Sequence, residues 1–241
     1  MVSPTSKLNR AEIPALGPER PVIWPRQFRR KLSNGLEVAL VESHAIPKFT
    51  AELFFRSGNS VAATPGLAEM AATVARTGTA HRTSRQIEED LRRWGSDLST
   101  GAGADTSAVA FGGLTEFSRP LMELASEITR EAAFPVEQFE REKRQKLEEL
   151  KIARTTPDFL ASECLRKVLF GAHPYAIIAP SEAQVESYTL DSLTAYYREQ
   201  YPPSGAQHGA VADFTAETMF ADIESVLGRW SAAPPAVAPQ L

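Results

Sequence analysis

The sequence predicts an α+β fold, a mixed, mostly antiparallel sheet covered by helices. Three observations lead there. Strand-like segments come first in the 241-residue chain and amphipathic helical segments fill most of the rest. The strict strand-helix alternation of a doubly wound parallel sheet is missing. No Gly/Ser-rich or Pro-rich linker interrupts the middle of the chain and no internal repeat is evident, so one core is expected. The boundaries read as an extended arm over residues 1–27, a single α+β domain over 28–230, and an Ala/Pro-rich tail or linker over 231–241.

The arm is expected from prolines at positions 4, 14, 18, 21 and 25 in a stretch without periodicity. Lys31 to Val41 reads as a hairpin because Asn34-Gly35 is a tight-turn signal between two extended pieces. After a second turn at Ser43 to Pro47, Phe49 to Phe55 supplies another strand that ends at Ser57-Gly58. Leu67, Met70, Ala71 and Val74 recur at three-to-four spacing and predict a helix between Gly66 and Arg76. Thr83 with Gln86 three residues later fits a capping box, followed by the apolar stripe Ile87, Leu91 and Trp94 and a terminating Gly95. Residues 96–114 return to strand, with Val109 and Phe111 in the core. Ser118 and Pro120 open a helix through Phe134, and Pro135 starts a longer one over Val136 to Ala153. Pro157 begins another, closed by Gly171. Thr189 caps Leu190 to Tyr197, Ala210 to Ala212 forms a short strand, and Thr215 opens a last helix through Leu227.

Composition excludes several functions. The formal charge is −4 and the basic residues lie among acidic ones, which argues against nucleic acid or an anionic membrane as partner. One cysteine, Cys164, leaves no disulfide and no thiolate zinc site; on a helix it is expected to be a buried, inert thiol. No apolar run reaches the roughly 20 residues of a membrane span, and the start lacks the apolar segment of a signal peptide. A soluble chain is expected, cytoplasmic as given, or periplasmic or secreted if a leader has been removed. The histidines His44, His81, His173 and His208 are scattered, without a helical pair, and read as surface or packing residues, with His173 locking a loop. Gly101-Ala102-Gly103 lacks the Lys-Ser/Thr of a phosphate loop, and Ser204-Gly205 lacks a nucleophile elbow. The basic cluster Arg141, Lys143, Arg144 and Lys146 is interleaved with glutamates and reads as a solvated helix face.

A set of landmarks occurs in order along the chain: Leu32-Ser33-Asn34-Gly35-Leu36, Phe54-Phe55-Arg56-Ser57-Gly58, Gly66-Leu67-Ala68, Arg76-Thr77-Gly78-Thr79, Asp105-Thr106, Gly171-Ala172-His173-Pro174-Tyr175, and Tyr197 to Pro203. With these, Leu32 to Trp230 resembles the amino-terminal domain of the pitrilysin, insulinase and mitochondrial processing peptidase superfamily. The resemblance implies a metallopeptidase-like fold of the LuxS/processing-peptidase type. It also implies an inverted zinc motif, His-x-x-Glu-His, directly after Gly-x-Ala. Two imidazoles four residues apart share a helix face and hold the metal, the glutamate between them activates water, and a distant glutamate completes the ligand set.

Here those positions are Glu69, Ala72 and Thr73. Alanine accepts no proton, and a threonine hydroxyl is a poor substitute for imidazole. The distant glutamate falls at Glu149, with Glu142 two turns earlier on the same face. These acids read either as remnants of an ancestral site facing Glu69 or as a solvated charged face in which Glu142 and Lys146 make an ordinary i,i+4 pair. The family's peptide-binding edge would fall at Asp97, Leu98, Ser99 and Thr100, where an extended peptide adds as a strand. Relatives also use an Arg/Tyr pair from a second, similar domain.

The leading expectation is a non-catalytic peptidase-like domain that needs no cofactor itself and pairs with a homologous domain or subunit, the zinc lying in that partner, to form a peptide-binding chamber. Self-association is an open possibility. The alternatives are a divalent-metal peptidase with a displaced site built from Glu69, Glu142 and Glu149, and a structural scaffold that handles no peptide.

Overall fold

The computed structural model describes residue 17 and residues 21–231. Most of the expected arm and nearly all of the expected tail lie outside the described residues. Six strands, β1 (Gln27–Lys31), β2 (Glu37–Glu42), β3 (Lys48–Phe55), β4 (Asp97–Ala102), β5 (Ser107–Leu114) and β6 (Gln207–Ala212), form one sheet in the order β1-β2-β6-β3-β5-β4. Every neighbouring pair is antiparallel except β2 and β6, which run parallel. The mixed, mostly antiparallel sheet expected from sequence is therefore present. The late strand β6 separates β2 from β3, a crossover that local patterning does not reveal.

The β1–β2 hairpin turns at Asn34-Gly35, with Gly35 at φ 91° in the left-handed region that glycine enters freely. The Asn34 amide donates to the carbonyls of Leu227 (2.8 Å) and Trp230 (3.2 Å), so the turn is pinned to the end of the last helix among the described residues. That helix, α8 (Ala216–Leu227), is one of eight α-helices among the described residues. The others are α1 (Leu67–Ala75), α2 (Ser84–Trp94), α3 (Ser118–Glu131), α4 (Val136–Ala153), α5 (Pro157–Phe170), α6 (Glu182–Glu186) and α7 (Leu190–Gln200). The expected capping box at Thr83 and Gln86 forms, and Gly95 closes α2 at φ 54°. α3 stops at Glu131, short of the expected Phe134, which instead takes φ 48° just before Pro135. A residue preceding proline is driven out of helical geometry.

The core lies on one side of the sheet. Val38, Leu40, Phe49, Leu53, Phe55, Leu98, Val109 and Phe111 point inward against Leu67, Met70 and Val74 of α1, Leu121, Leu124 and Ile128 of α3, and Phe220, Ile223 and Leu227 of α8. Alternate strand residues face the other way, by the two-residue period of a strand. No helix of the described residues is long and apolar enough to cross a membrane.

α5 overturns an expectation. None of its residues is buried, and Cys164 is exposed rather than an inert core thiol. The helix lies outside the packed layers, resting mainly on the 3-10 turn Pro174–Ala176, so its apolar residues Leu165, Val168 and Leu169 remain in solvent.

Candidate functional site

The cleft between α1 and α4 is about 200 Å³ and is lined by Gly66, Glu69, Met70, Thr73, Glu142, Gln145, Lys146, Glu149 and Tyr188. Two glycines mark close backbone approaches on the chain leading into α1, and one of them, Gly66, lines the cleft. Gly66, at φ 80°, starts α1 so close to the 180–188 segment that a Cβ there would come within 2.5 Å of the Tyr188 hydroxyl. Gly58, at the end of β3, lies against the β4–β5 turn, where a Cβ would sit 2.3 Å from the Ala104 carbonyl oxygen. In that turn Asp105 accepts from the Ser60 hydroxyl (3.1 Å) and the Tyr175 hydroxyl (2.5 Å), joining three loops. Tyr188 donates to the Pro65 carbonyl (2.5 Å); burial, and then the charge of Glu69, hold its phenol protonated far above the ordinary range.

The structure brings Glu69, Thr73, Glu142 and Glu149 together in this cleft, and it places Lys146 among them. The Lys146 ammonium lies 2.9 Å from the Glu69 carboxylate, crossing from α4 to α1. Sequence reasoning missed this contact and paired Lys146 with Glu142 instead. The correction has a geometric basis. Glu142 is taken by Arg141 at 2.8 Å, and Glu149 accepts from Gln145 at 2.9 Å, which leaves the Lys146 stem to reach across the cleft. Lys143 also departs from a solvated face, donating to the carbonyls of Glu186 (2.7 Å) and Tyr188 (2.9 Å). No signal on α4 alone announces either contact, because both depend on which element packs opposite.

Three features make the cleft a poor fit for zinc. The Thr73 hydroxyl donates to the Glu69 carbonyl of its own helix at 2.9 Å, so it is committed to backbone. Ala72 is 1% exposed and offers only a methyl group. A cation, Lys146, already sits against the one carboxylate at a motif position. Among the described residues no group of three or more His, Cys, Asp or Glu side chains is placed to hold a metal ion.

The histidines lie elsewhere. His44 meets Asp213 at 2.8 Å and His81 meets Glu131 at 2.9 Å, both at the surface. His173 accepts from the Tyr175 amide at 3.2 Å, the loop lock expected of it. His208 is buried inside the sheet layer, stacked on Phe111 with ring centroids 6.0 Å apart. Neither of its ring nitrogens has a hydrogen bond of full geometry; desolvation lowers its pKa to about 4, opposed in part by the Glu52 backbone.

The segment Asp97 to Thr100 lies on β4, an edge strand that among the described residues pairs only with β5. Leu98 is buried and Asp97 and Ser99 are exposed. The Thr100 hydroxyl donates to the Ala72 carbonyl at 2.7 Å, so this edge is fixed directly to the helix that carries the motif positions.

Comparison with known proteins places this geometry. The structure superposes on the peptidase M16 inactive domain from Pseudomonas fluorescens with TM-score 0.83 and 25% identity, over 88% of this chain and 52% of that one. The chain has the M16 metallopeptidase fold. A protease from Helicobacter pylori shares that M16-type fold with TM-score 0.81 at 16% identity, over 90% of this chain and 53% of that one. So does the first half of the periplasmic protease PqqL from Escherichia coli, with TM-score 0.79 at 19% identity, over 89% of this chain and 49% of that one. Among curated proteins, the uncharacterized zinc protease YmxG of Bacillus subtilis is 24% identical over 157 residues, 64% of this chain and 38% of that protein. No family model matches the chain. The chain thus spans about half the length of the M16-type structures it resembles and less of the curated relative.

Proposed function

We propose that this M16-type domain is non-catalytic and works beside a homologous domain, in the same polypeptide or as a separate subunit, with which it closes a peptide-binding chamber. The observation that carries the reading is the pairing of Ala72, at the position of the water-activating glutamate, with Lys146, whose ammonium stands against Glu69. A domain in this state has no base for hydrolysis, and any zinc would lie in the partner.

Two surfaces support a life in company. α5 exposes Leu165 (58%), Val168 (78%) and Leu169 (65%), an apolar stretch of the kind a partner surface covers. β4 supplies a free edge, Asp97 to Thr100, to which an extended peptide can add by main-chain pairing. We assign residues 28–230 to this single unit, with 1–27 and 231–241 flanking it.

The test is reconstitution with a homologous M16 domain that carries an intact His-x-x-Glu-His motif. The pair cleaves a reporter peptide and this chain alone does not. Replacing the motif glutamate of the partner abolishes cleavage, whereas Glu149→Gln in this chain leaves it unchanged. Cleavage by this chain alone contradicts the reading, and a pair that assembles but handles no peptide reduces it to a scaffold.

A further inference from the structure

The chain leaves its packed layers at Arg154, the end of α4, and returns to them at Pro180. An N–H of the Arg154 guanidinium donates to the Pro180 carbonyl at 2.8 Å, so the two ends of the intervening segment are clasped together. Residues 155–179 between them hold α5 and the turn Pro174–Ala176. These two are tied to each other: the Phe170 carbonyl accepts from the His173 amide at 2.9 Å, and the Phe170 ring meets Tyr175 edge-on at 5.7 Å.

Little holds this piece to the rest of the molecule. Ala176 is the one buried residue in it. Thr155 and Thr156 turn their hydroxyls back to the last carbonyls of α4, at Ile152 (2.7 Å) and Ala153 (2.5 Å). Glu163 reaches only Arg154, at the base itself, at 3.9 Å. Away from the base, a single polar bond among the described residues ties the segment down, from the Tyr175 hydroxyl to the Asp105 carboxylate at 2.5 Å. A hydroxyl-to-carboxylate bond is strong for one contact, but here it stands alone. Few buried contacts and a clasped base are the features of a unit that opens without unfolding the core.

A cavity of about 230 Å³ lies beneath, between Ala172, Pro174 and Ile178 on the segment's side and Asn59, Ser60 and Ala62 on the other. Asn59 Oδ1 is shut off from solvent there with no hydrogen-bond partner. An unpaired buried acceptor is costly, and opening relieves that cost by admitting water. The cavity meets the α1–α4 cleft at Gly66 and Glu69, which line both.

We propose that residues 155–179 are a hinged flap, clasped at its base by Arg154 and Pro180 and latched by Tyr175 on Asp105, whose opening widens the Asn59 pocket into the cleft. The device is built from this chain alone and does not depend on the pairing put forward above.

Cys164, the one cysteine of the chain, is exposed on α5 and carries a label on the flap itself. Spin labels on Cys164 and on Glu140→Cys of α4 report the flap's position by pulsed electron resonance, with Tyr175 and with Tyr175→Phe. Control labels at Glu89→Cys and Glu140→Cys, in a Cys164→Ser chain, report the body alone. Tyr175→Phe is expected to raise the population of a second flap distance about tenfold, the worth of one hydrogen bond to a charged group, and to leave the control distance and the melting temperature as they were. In the Cys164→Ser chain, Ile178→Cys puts a thiol in the pocket wall, and Tyr175→Phe is expected to speed its reaction with a neutral thiol reagent by about tenfold. The latched flap pair in urea gives a reading that needs no Tyr175 variant: the second distance grows below the unfolding transition. A flap distance that changes only with global unfolding, or not at all in Tyr175→Phe, overturns the proposal. Equal broadening of the control pair makes Tyr175 part of the frame and overturns it too. A flap that moves while the Ile178→Cys thiol reacts at its original rate overturns the opening of the pocket.

Discussion

Gly58 and Gly66 admit no side chain, while Glu69, Ala72 and Thr73, a few residues further on, carry side chains that suit no zinc. The two regions share one segment of chain and one helix. The first set fixes the surroundings of α1 through close backbone approach, which any departure from glycine would push apart. The second set would do the chemistry, and the structure places a methyl group, a backbone-bonded hydroxyl and a lysine-paired acid there. Frame and chemistry are thus separable in this fold. Packing of Gly66 against Tyr188 and Pro180 shapes the cleft wall whether or not a metal could sit in it, packing at Gly58 and Asp105 fixes the neighbouring loops, and the Lys146 ammonium balances a carboxylate that would otherwise face other acids.

The comparison predicts large effects in the frame and small ones in the cleft. Gly58→Ala should break the frame most severely. Its methyl group meets the Ala104 carbonyl, a backbone atom that moves only with the β4–β5 turn, and the expected loss is about 3 kcal/mol in urea denaturation. A midpoint close to wild type would show that the turn is softer than its packing implies.

The frame should also be acid-sensitive through His208. Its folded pKa is depressed to about 4 from an ordinary 6.5, so between those values the unfolded chain binds the extra proton and the folded one does not. Stability is therefore unaffected by this group above about pH 6.5 and falls as the pH drops toward 4, by roughly 3 kcal/mol in all. His208→Leu, of similar volume beside Phe111, is expected to remove that slope in denaturation curves taken from pH 7 to pH 4. An unchanged slope would assign it to other groups.

Asp105→Ala comes next. It strips the acceptor from Ser60 and Tyr175 and is expected to destabilise by about 1–2 kcal/mol. A thermal melt reads the difference.

Within the cleft, Lys146→Met should change stability by less than about 1 kcal/mol, because the pair with Glu69 is only partly shielded, at 23% and 45% side-chain exposure. High salt should shrink that difference further, and a loss that persists in salt would point to packing rather than charge.

Much of this was legible in the sequence because local rules set it. The Asn34-Gly35 turn, the Thr83 and Gln86 capping box, the breaks at Pro135 and Pro157, and the inward residues Val109 and Phe111 all appear where periodicity and capping chemistry put them. α6 carried the same kind of signal, Ser181 with Gln184 three residues on, and passed unnoticed because the helix is only five residues long. The emptied motif could be read residue by residue, since spacing along one helix fixes which side chains share a face. What remained hidden depended on tertiary neighbours. β6 lies between β2 and β3, α5 and Cys164 stay in solvent despite an apolar sequence, and Lys146 turns to Glu69 because Arg141 has already taken Glu142.

The direct test of the emptied cleft is zinc content, measured by elemental analysis on the isolated chain purified without chelator, with peptide cleavage assayed on the same sample. The account predicts far less than one zinc per chain, no cleavage, and a melting temperature that EDTA leaves unchanged. One zinc per chain, lost together with peptide cleavage in Glu149→Ala, would contradict it.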